Sequence, residues 1–246
     1  MTSSLKVLRT YAKLSDPSLT ALPPTVYFSH TKHTLTIFDA YPKALFHFLV
    51  LPRLSADESD LTDLRTLLRQ HASGPGAGAT LRVLADEAAR LRGVVEEEMR
   101  ARYGFAWDVW VGFHAVPSME HLHLHVISSD LTAPALKTKR HYNSFSPRAG
   151  FFVPLAEVRT WFDDAAAAKV PRLAPEEYEP RLKYALECFR CEQPAKNMPA
   201  LKKHLQDEFD ALRKREGKSK KHRREAEDES ASGTAKGKGK KVARLS

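Results

Sequence analysis

Three histidines at alternate positions, in His121-Leu122-His123-Leu124-His125-Val126-Ile127-Ser128, are the side chains best suited to chemistry. In an extended strand alternate residues share a face, so the three imidazoles stand together while Leu122, Leu124 and Val126 enter a core. As a purely structural device the arrangement costs stability, because neutral rings need hydrogen-bond partners and charged rings repel. Two uses would offset that cost. Imidazole nitrogens on alternate strand positions can bind zinc. Alternatively, one ring nitrogen attacks phosphorus while its neighbours hydrogen-bond the non-bridging oxygens.

A second group is built on the only two cysteines, Cys188-Phe-Arg-Cys191, followed by His204 and Glu208 in the pattern C-x2-C-x12-H-x3-E. Two cysteines exclude a disulfide framework and suit a reducing compartment. The cysteine turn can place two thiolates on one metal, and His204 and Glu208, four apart on a helix, share a face. Thiolate, imidazole and carboxylate are all zinc ligands, and four of them close a structural site, one ion per chain. Asp207, three residues from His204, is the weaker candidate for the fourth place. Lys202, Lys203 and Arg190 surround this knuckle and are expected to touch DNA.

The elements that must position these groups are legible in outline. Ser4–Leu14 reads as an amphipathic helix ended by Asp16-Pro17. Thr25–His30, Thr34–Phe38, Leu45–Leu51, Phe105–His114 and Leu122–Ser128 read as antiparallel strands. Ser59–His71 and Thr80–Tyr103 have apolar residues at three- and four-residue steps and read as helices, separated by the breaker at 72–79. The fold class is therefore α+β, an antiparallel sheet with helices on one side. His47, within Phe46-His47-Phe48, is expected to be a packed, hydrogen-bonded residue, and His30 and His33 to lie in loops. No apolar stretch approaches the roughly 20 residues of a membrane span, and the first residues do not form a secretory signal.

The 246 residues carry a net charge of +9, but residues 213–246 hold +8 of it. The remainder is nearly neutral, so nucleic-acid affinity in the folded part must come from local patches. One such patch is Lys137-Thr-Lys139-Arg140-His141-Tyr142 with Arg148 nearby, basic residues with an interleaved aromatic suited to a phosphate backbone. From Gly217 the chain lacks aromatics and is expected to be disordered. Its runs Lys218–Arg224 and Lys236–Lys241 read as nuclear-import or polyanion contacts.

The histidine spacing with its interleaved aliphatics is the signature of the histidine-triad superfamily of nucleotidyl hydrolases and transferases. The segments Tyr41–Pro52, Gly112–Met119 and Leu136–Phe145 resemble the aprataxin family, over about residues 5–215. The Cys-Cys-His-Glu set is similar to the variant finger of its fungal-type members, and no forkhead-associated domain is expected here. The resemblance implies a histidine-triad domain over 1–150, a linker and zinc finger over 151–216, and a basic tail over 217–246. It implies an adenosine-5′-diphospho-5′-[DNA] hydrolase that removes AMP from 5′-adenylated nicked or double-stranded DNA and RNA–DNA ends. His123 would be the nucleophile that forms an AMP–histidine intermediate, with no metal at the triad. A backbone carbonyl would hold its tautomer. His125 and Ser118 would stabilise the non-bridging oxygens, with His114 beside the departing phosphate and His121 fixing strand and loop.

The same resemblance places the loop Asp39-Ala40-Tyr41-Pro42-Lys43 beside the nucleotide, with Asp39 on a ribose hydroxyl and Lys43 on phosphate. Ser118-Met119 would offer backbone N–H groups to phosphate, and Lys137, Lys139, Arg140 and His141 would meet DNA. In the family an aromatic on the N-terminal helix stacks on the terminal base pair; its equivalent falls near Met1, and the first aromatic here is Tyr11. The expected protein is a nuclear monomer. Two rivals share the same residues: a general nucleotide phosphoramidase or dinucleotide hydrolase, and a non-catalytic DNA-end binding protein.

Overall fold

The structure, a computed structural model, describes residues 4–54, 61–74, 76–163 and 171–235. Six strands form one antiparallel sheet: β1 Tyr27–His30, β2 Thr34–Phe38, β3 His47–Pro52, β4 Val109–His114, β5 Leu124–Ser128 and β6 Phe152–Pro154, in the order β1-β2-β3-β5-β4-β6. Period-two alternation divides the two faces. Phe48 and Val50 of β3, Val109 and Phe113 of β4, and Leu124 and Val126 of β5 enter one core cluster. That core is covered by α3 (Leu64–Ser73) and the long α4 (Gly76–Tyr103). The Asp63 side chain caps α3 by accepting from Thr66 N–H at 2.8 Å.

His47, His114 and His125 take the alternate positions on adjacent strands and so share the opposite face. Gly112 lies opposite His125 on that face, and a Cβ there would stand 2.4 Å from the Val153 carbonyl oxygen and 2.7 Å from the Phe152 ring. The close crossing of β6 therefore requires glycine at this place.

A short 3-10 turn, Ser4–Lys6, leads into α1 (Val7–Ala12), which packs with α2 (Asp16–Thr20) over the histidine-side face of β2 and β3 through Leu8, Leu19, Leu35, Ile37, Leu49 and Leu51. Asp16-Pro17 thus opens a second helix as well as ending the first, proline being tolerated in a first turn. The start of the helix expected over Ser59–His71 lies outside the described residues.

Beyond the sheet come α5 (Lys139–Asn143), α6 (Leu155–Asp163), α7 (Pro175–Tyr178) and α8 (Met198–Ala235). Leu182 and Phe209 enter the main core, while Leu186, Cys188, Leu201 and Leu205 join Ile127, Leu136, Tyr142, Phe145 and Phe152 in another cluster. β6 falls at the start of the region, about 150–175, in which a boundary was expected, and the cysteine segment shares apolar clusters with the sheet. The Asn197 side chain caps α8 by accepting from Ala200 N–H at 2.9 Å. The helix then continues through Ala235, where a tail without regular structure was expected from Gly217. Its lysines, arginines, glutamates and alanines are strong helix formers, which corrects an expectation drawn from the lack of a buriable face. Residues 236–246, including Lys236–Lys241, lie outside the described residues. Among the described residues no helix is long and apolar enough to cross a membrane.

Candidate active site

The histidines are held by backbone groups. His121 is not on the strand: β5 begins at Leu124, and His121 has φ +93°. That left-handed turn removes its ring from the row expected of three alternate positions. Its Nε2 instead bonds the Pro52 carbonyl at 2.8 Å, and its N–H donates to Thr62 O at 3.1 Å. His121 therefore fastens loop to strand. The turn also aims the His121 carbonyl at His123 Nδ1, 2.8 Å away. A carbonyl only accepts, so Nδ1 carries the proton and Nε2 holds the lone pair.

The rings that continue the cluster from His123 come from β5 and the two strands beside it. His125 lies 4.9 Å from it between centroids, His114 of β4 is 4.4 Å from His125, and His47 of β3 is 5.3 Å from His125. His47 was expected to be structural, yet it decides the state of His125. Lys43 N–H donates to His47 Nδ1 at 3.2 Å, so the neutral His47 carries its proton on Nε2. That Nε2 faces His125 Nδ1 at 3.0 Å and donates to it. His125 must then be protonated on Nε2, which is buried and has no hydrogen-bond partner among the described residues. The result is a donor at His125 Nε2 beside the ring of His123, whose lone pair is on Nε2.

Burial keeps the cluster neutral. It pushes His47 and His121 down to about 4, and lowers His123 despite the His121 carbonyl and Asp39, which act the other way. His114 and His125 are held well below the ordinary 6.5, first by burial and then by the neighbouring rings. His114 is bonded to the Ser144 backbone, and its Nε2, like that of His125, is buried without a hydrogen-bond partner among the described residues.

The loop 39–43 closes over this face. Asp39 Oδ1 accepts from Tyr41 N–H at 2.7 Å, forming a local turn, and Oδ2 lies 3.6 Å from His47 Nε2. Lys43 Nζ bends back onto the Tyr41 carbonyl, and burial lowers its pKa. Ala40 is exposed and Pro42 half-buried, while Tyr41 is 72% exposed. Ser118 is exposed in the bend before His121; Met119 packs into the apolar cluster of α1 and α2, so only its backbone is available to phosphate.

Lys137, Lys139 and Arg140 are exposed and His141 is half-buried. Tyr142 is not part of that surface: it is 1% exposed, an anchor of the second apolar cluster. Arg148 pairs with Glu187 and Glu192 at 3.2 and 2.7 Å. Near the knuckle, Arg190 donates to Ser129 O at 3.0 Å, Lys202 to Ala133 O at 3.1 Å, and Lys203 pairs with Asp207 at 2.6 Å. These cations also make contacts within the protein, with Arg190 and Lys203 exposed and Lys202 half-buried. Tyr11 packs inward, and Met1 lies outside the described residues.

Cys188, Cys191, His204 and Glu208 converge as expected. Cys188 Sγ is 3.3 Å from Glu208 Oε2, Cys191 Sγ 3.2 Å from His204 Nε2, and His204 Nε2 3.1 Å from Glu208 Oε1. A tetrahedral zinc with bonds of about 2.0–2.3 Å needs ligand separations of roughly 3.3–3.6 Å, so small adjustments seat the ion. Arg190 N–H points at Cys188 Sγ at 3.4 Å, a bond that favours the thiolate. Asp207, spent on Lys203, leaves the fourth place to Glu208. Asp39, His47 and His125 also bring ligand-type atoms within 4.8 Å of one another. There the bonding opposes a metal, because Lys43 N–H forces the His47 proton onto the nitrogen that would have to coordinate.

Comparison with known proteins agrees with both parts. A family model described as "Scavenger mRNA decapping enzyme C-term binding" matches residues 18–141, half of the chain, and places the sheet in that family. A model of the C2HE / C2H2 / C2HC zinc-binding finger matches residues 148–211. The aprataxin of Gallus gallus is 34% identical over 182 residues, covering 74% of this chain and 50% of that protein. An aprataxin-like protein of Schizosaccharomyces pombe is 29% identical over 182 residues, with 70% and 69% covered.

The crystal structure of the aprataxin ortholog Hnt3 in complex with DNA superposes with a TM-score of 0.62 at 25% identity, covering 85% of this chain and 96% of that one. The chain belongs to the family of that decapping-enzyme model and is an aprataxin homologue over most of its length. An aprataxin-like protein of Drosophila melanogaster shares 37% identity over 173 residues, 70% of this chain. The chain spans about a fifth of that relative and half of the Gallus one. The histidine-triad sheet and the finger are both present here.

Proposed function

We propose that this chain is a DNA repair hydrolase that removes AMP from 5′-adenylated DNA at nicks, double-strand ends and RNA–DNA junctions. The observation that carries the reading is the 2.8 Å contact of His123 Nδ1 with the His121 carbonyl, which leaves Nε2 as the attacking atom. Nε2 attacks the α-phosphorus, and the bond to the DNA 5′-phosphate breaks with its electron pair leaving on that phosphate. The ring, now bonded to phosphorus at Nε2 and still protonated at Nδ1, is cationic and is stabilised by the His121 carbonyl.

His125 Nε2–H supplies the missing hydrogen bond to a non-bridging oxygen, and His114 stands on the same face for the leaving phosphate. Water then attacks phosphorus, the electron pair returns to Nε2, AMP departs and the surplus proton goes to solvent. Asp39 and Lys43 border the nucleotide from their loop, and Ser118 serves from the exposed bend before His121. Relatives solved with DNA, and with DNA and guanosine, support DNA as the partner, received by Lys137, Lys139, Arg140 and His141. Zinc supplies folding energy to the knuckle and takes no part in the chemistry. The basic stretch from Lys218 supports action in the nucleus, as a monomer.

Quenched reactions on a nicked adenylated duplex should contain nucleotidylated protein. His123→Ala should slow AMP release by roughly 10^4-fold or more, as loss of a nucleophile does. AMP release without any protein adduct, or undiminished release by the variant, would remove the assignment. Faster turnover of AMP-lysine than of adenylated DNA would favour the general phosphoramidase.

A further inference from the structure

Phe145 touches three of the histidine rings, with centroids 5.2 Å from His47, 4.7 Å from His114 and 5.2 Å from His125. It lies two residues beyond α5, a five-residue helix. Helices below about 12 residues have little stability of their own, so whatever anchors α5 also places Phe145. One anchor is Asn143, whose Nδ2 donates to Leu182 O at 3.2 Å and Tyr184 O at 2.9 Å. Another is the buried Tyr142. Its hydroxyl donates to Glu187 O at 2.7 Å and accepts from Phe189 N–H at 3.0 Å, the two backbone groups that flank Cys188.

The hydroxyl therefore sits inside the turn that carries the first cysteine of the knuckle. Phe189 adds an edge-on contact with Trp110 of β4 at 4.9 Å, on the same face of the sheet. A continuous path runs from the knuckle through Tyr142 and α5 to Phe145 and the rings of His47, His114 and His125.

We propose that Tyr142 is a positioning residue for the histidine cluster, its hydroxyl clasping the cysteine knuckle to α5 so that Phe145 is held against the three rings. The knuckle then supports catalysis itself, including on substrates too small to reach a DNA-binding surface. The turnover part of this inference rests on the function proposed above; the orientation part does not.

Tyr142→Phe keeps the ring and removes the hydroxyl's bonds to Glu187 and Phe189 of the knuckle, together with its bond to Ser146. In the full chain with adenosine 5′-phosphoramidate as substrate, kcat should fall about 10- to 100-fold, the effect of a small displacement of reacting groups, with KM unchanged. Zinc content should match the parent. Proton–nitrogen spectra of the imidazoles should show the His114 and His125 signals shifted or broadened. A residue that only stabilises the fold would lower the melting temperature and leave kcat and those signals in place, and that result overturns the proposal.

Should Tyr142→Phe fail to fold, Phe145→Leu decides by the same readings: unchanged imidazole signals and kcat overturn the proposal, and disturbed ones at full zinc content support it. If the parent chain turns over neither the phosphoramidate nor adenylated DNA, the function reading fails, and the imidazole spectra still judge the clasp.

Discussion

The histidine face and the cysteine knuckle are built from similar materials and used in opposite ways. Each gathers three or four side chains of metal-ligating type within 4.8 Å. In the knuckle, Arg190 N–H points at the Cys188 sulfur, and two sulfurs, an imidazole nitrogen and a carboxylate converge as a donor set that one zinc would hold together. On the histidine face, Lys43 N–H and the His121 carbonyl set the tautomers, so lone pairs meet protons and the surplus donor is His125 Nε2. Backbone partners, more than residue types, decide whether a cluster holds a metal or a phosphate.

Removing the metal gives the largest expected effect. Structural zinc contributes roughly 10–16 kcal/mol of apparent binding energy in isolated fingers, and here Cys188 and its neighbours share an apolar cluster with Ile127 and Phe152 of the sheet. Cys188→Ser should therefore lose about one zinc per chain, measured by elemental analysis, and lower the melting temperature of the whole domain. Zinc retained by the variant at the histidine face would abolish the contrast between the two clusters.

Much of this was legible in the sequence because period and spacing are local properties. The four knuckle residues and the alternating histidines His121, His123 and His125 follow from counting. His47 was missed because its partner is set by antiparallel register, Leu49 opposite His125, which one strand cannot reveal. Its signal was a histidine inside the apolar run Phe46–Phe48, four residues after Lys43. The positive φ of His121 was hidden for another reason: it falls on a residue whose type gives no warning, unlike a glycine. Tyr142 looked like part of a basic surface because sequence adjacency does not tell which side of a five-residue helix is covered.

The tautomer chain is tested by His47→Phe, which keeps a ring of similar size and removes both nitrogens. Without the Nε2 donor, His125 is free to carry its proton on either nitrogen. The kcat for AMP release should fall roughly 10- to 100-fold, less than the ~10²–10³ expected for deleting the His125 donor itself. An unchanged kcat in single-turnover measurements would mean that His125 is oriented by something else, and the histidine face would lose its distinguishing wiring.

Acid should separate the two regions with a smaller effect. Burial holds His47 and His121 near 4, and His114, His123 and His125 below 6.5 as well. Below about 6.5 the unfolded chain protonates these rings while the native one keeps them neutral, so the unfolded state binds more protons and stability rises with pH. Stability is thus complete above about 6.5 and drains away as pH falls towards 4. Each ring that stays neutral contributes up to about 1.4 kcal/mol per pH unit in that window. Acid also protonates zinc ligands, but that loss is visible as free metal. Denaturant midpoints at pH 7, 6 and 5, read beside a zinc-sensitive dye, should therefore decline while zinc is still bound. A midpoint that stays level until zinc appears would assign the acid sensitivity to the knuckle and leave the histidine face as hydrated as an ordinary surface.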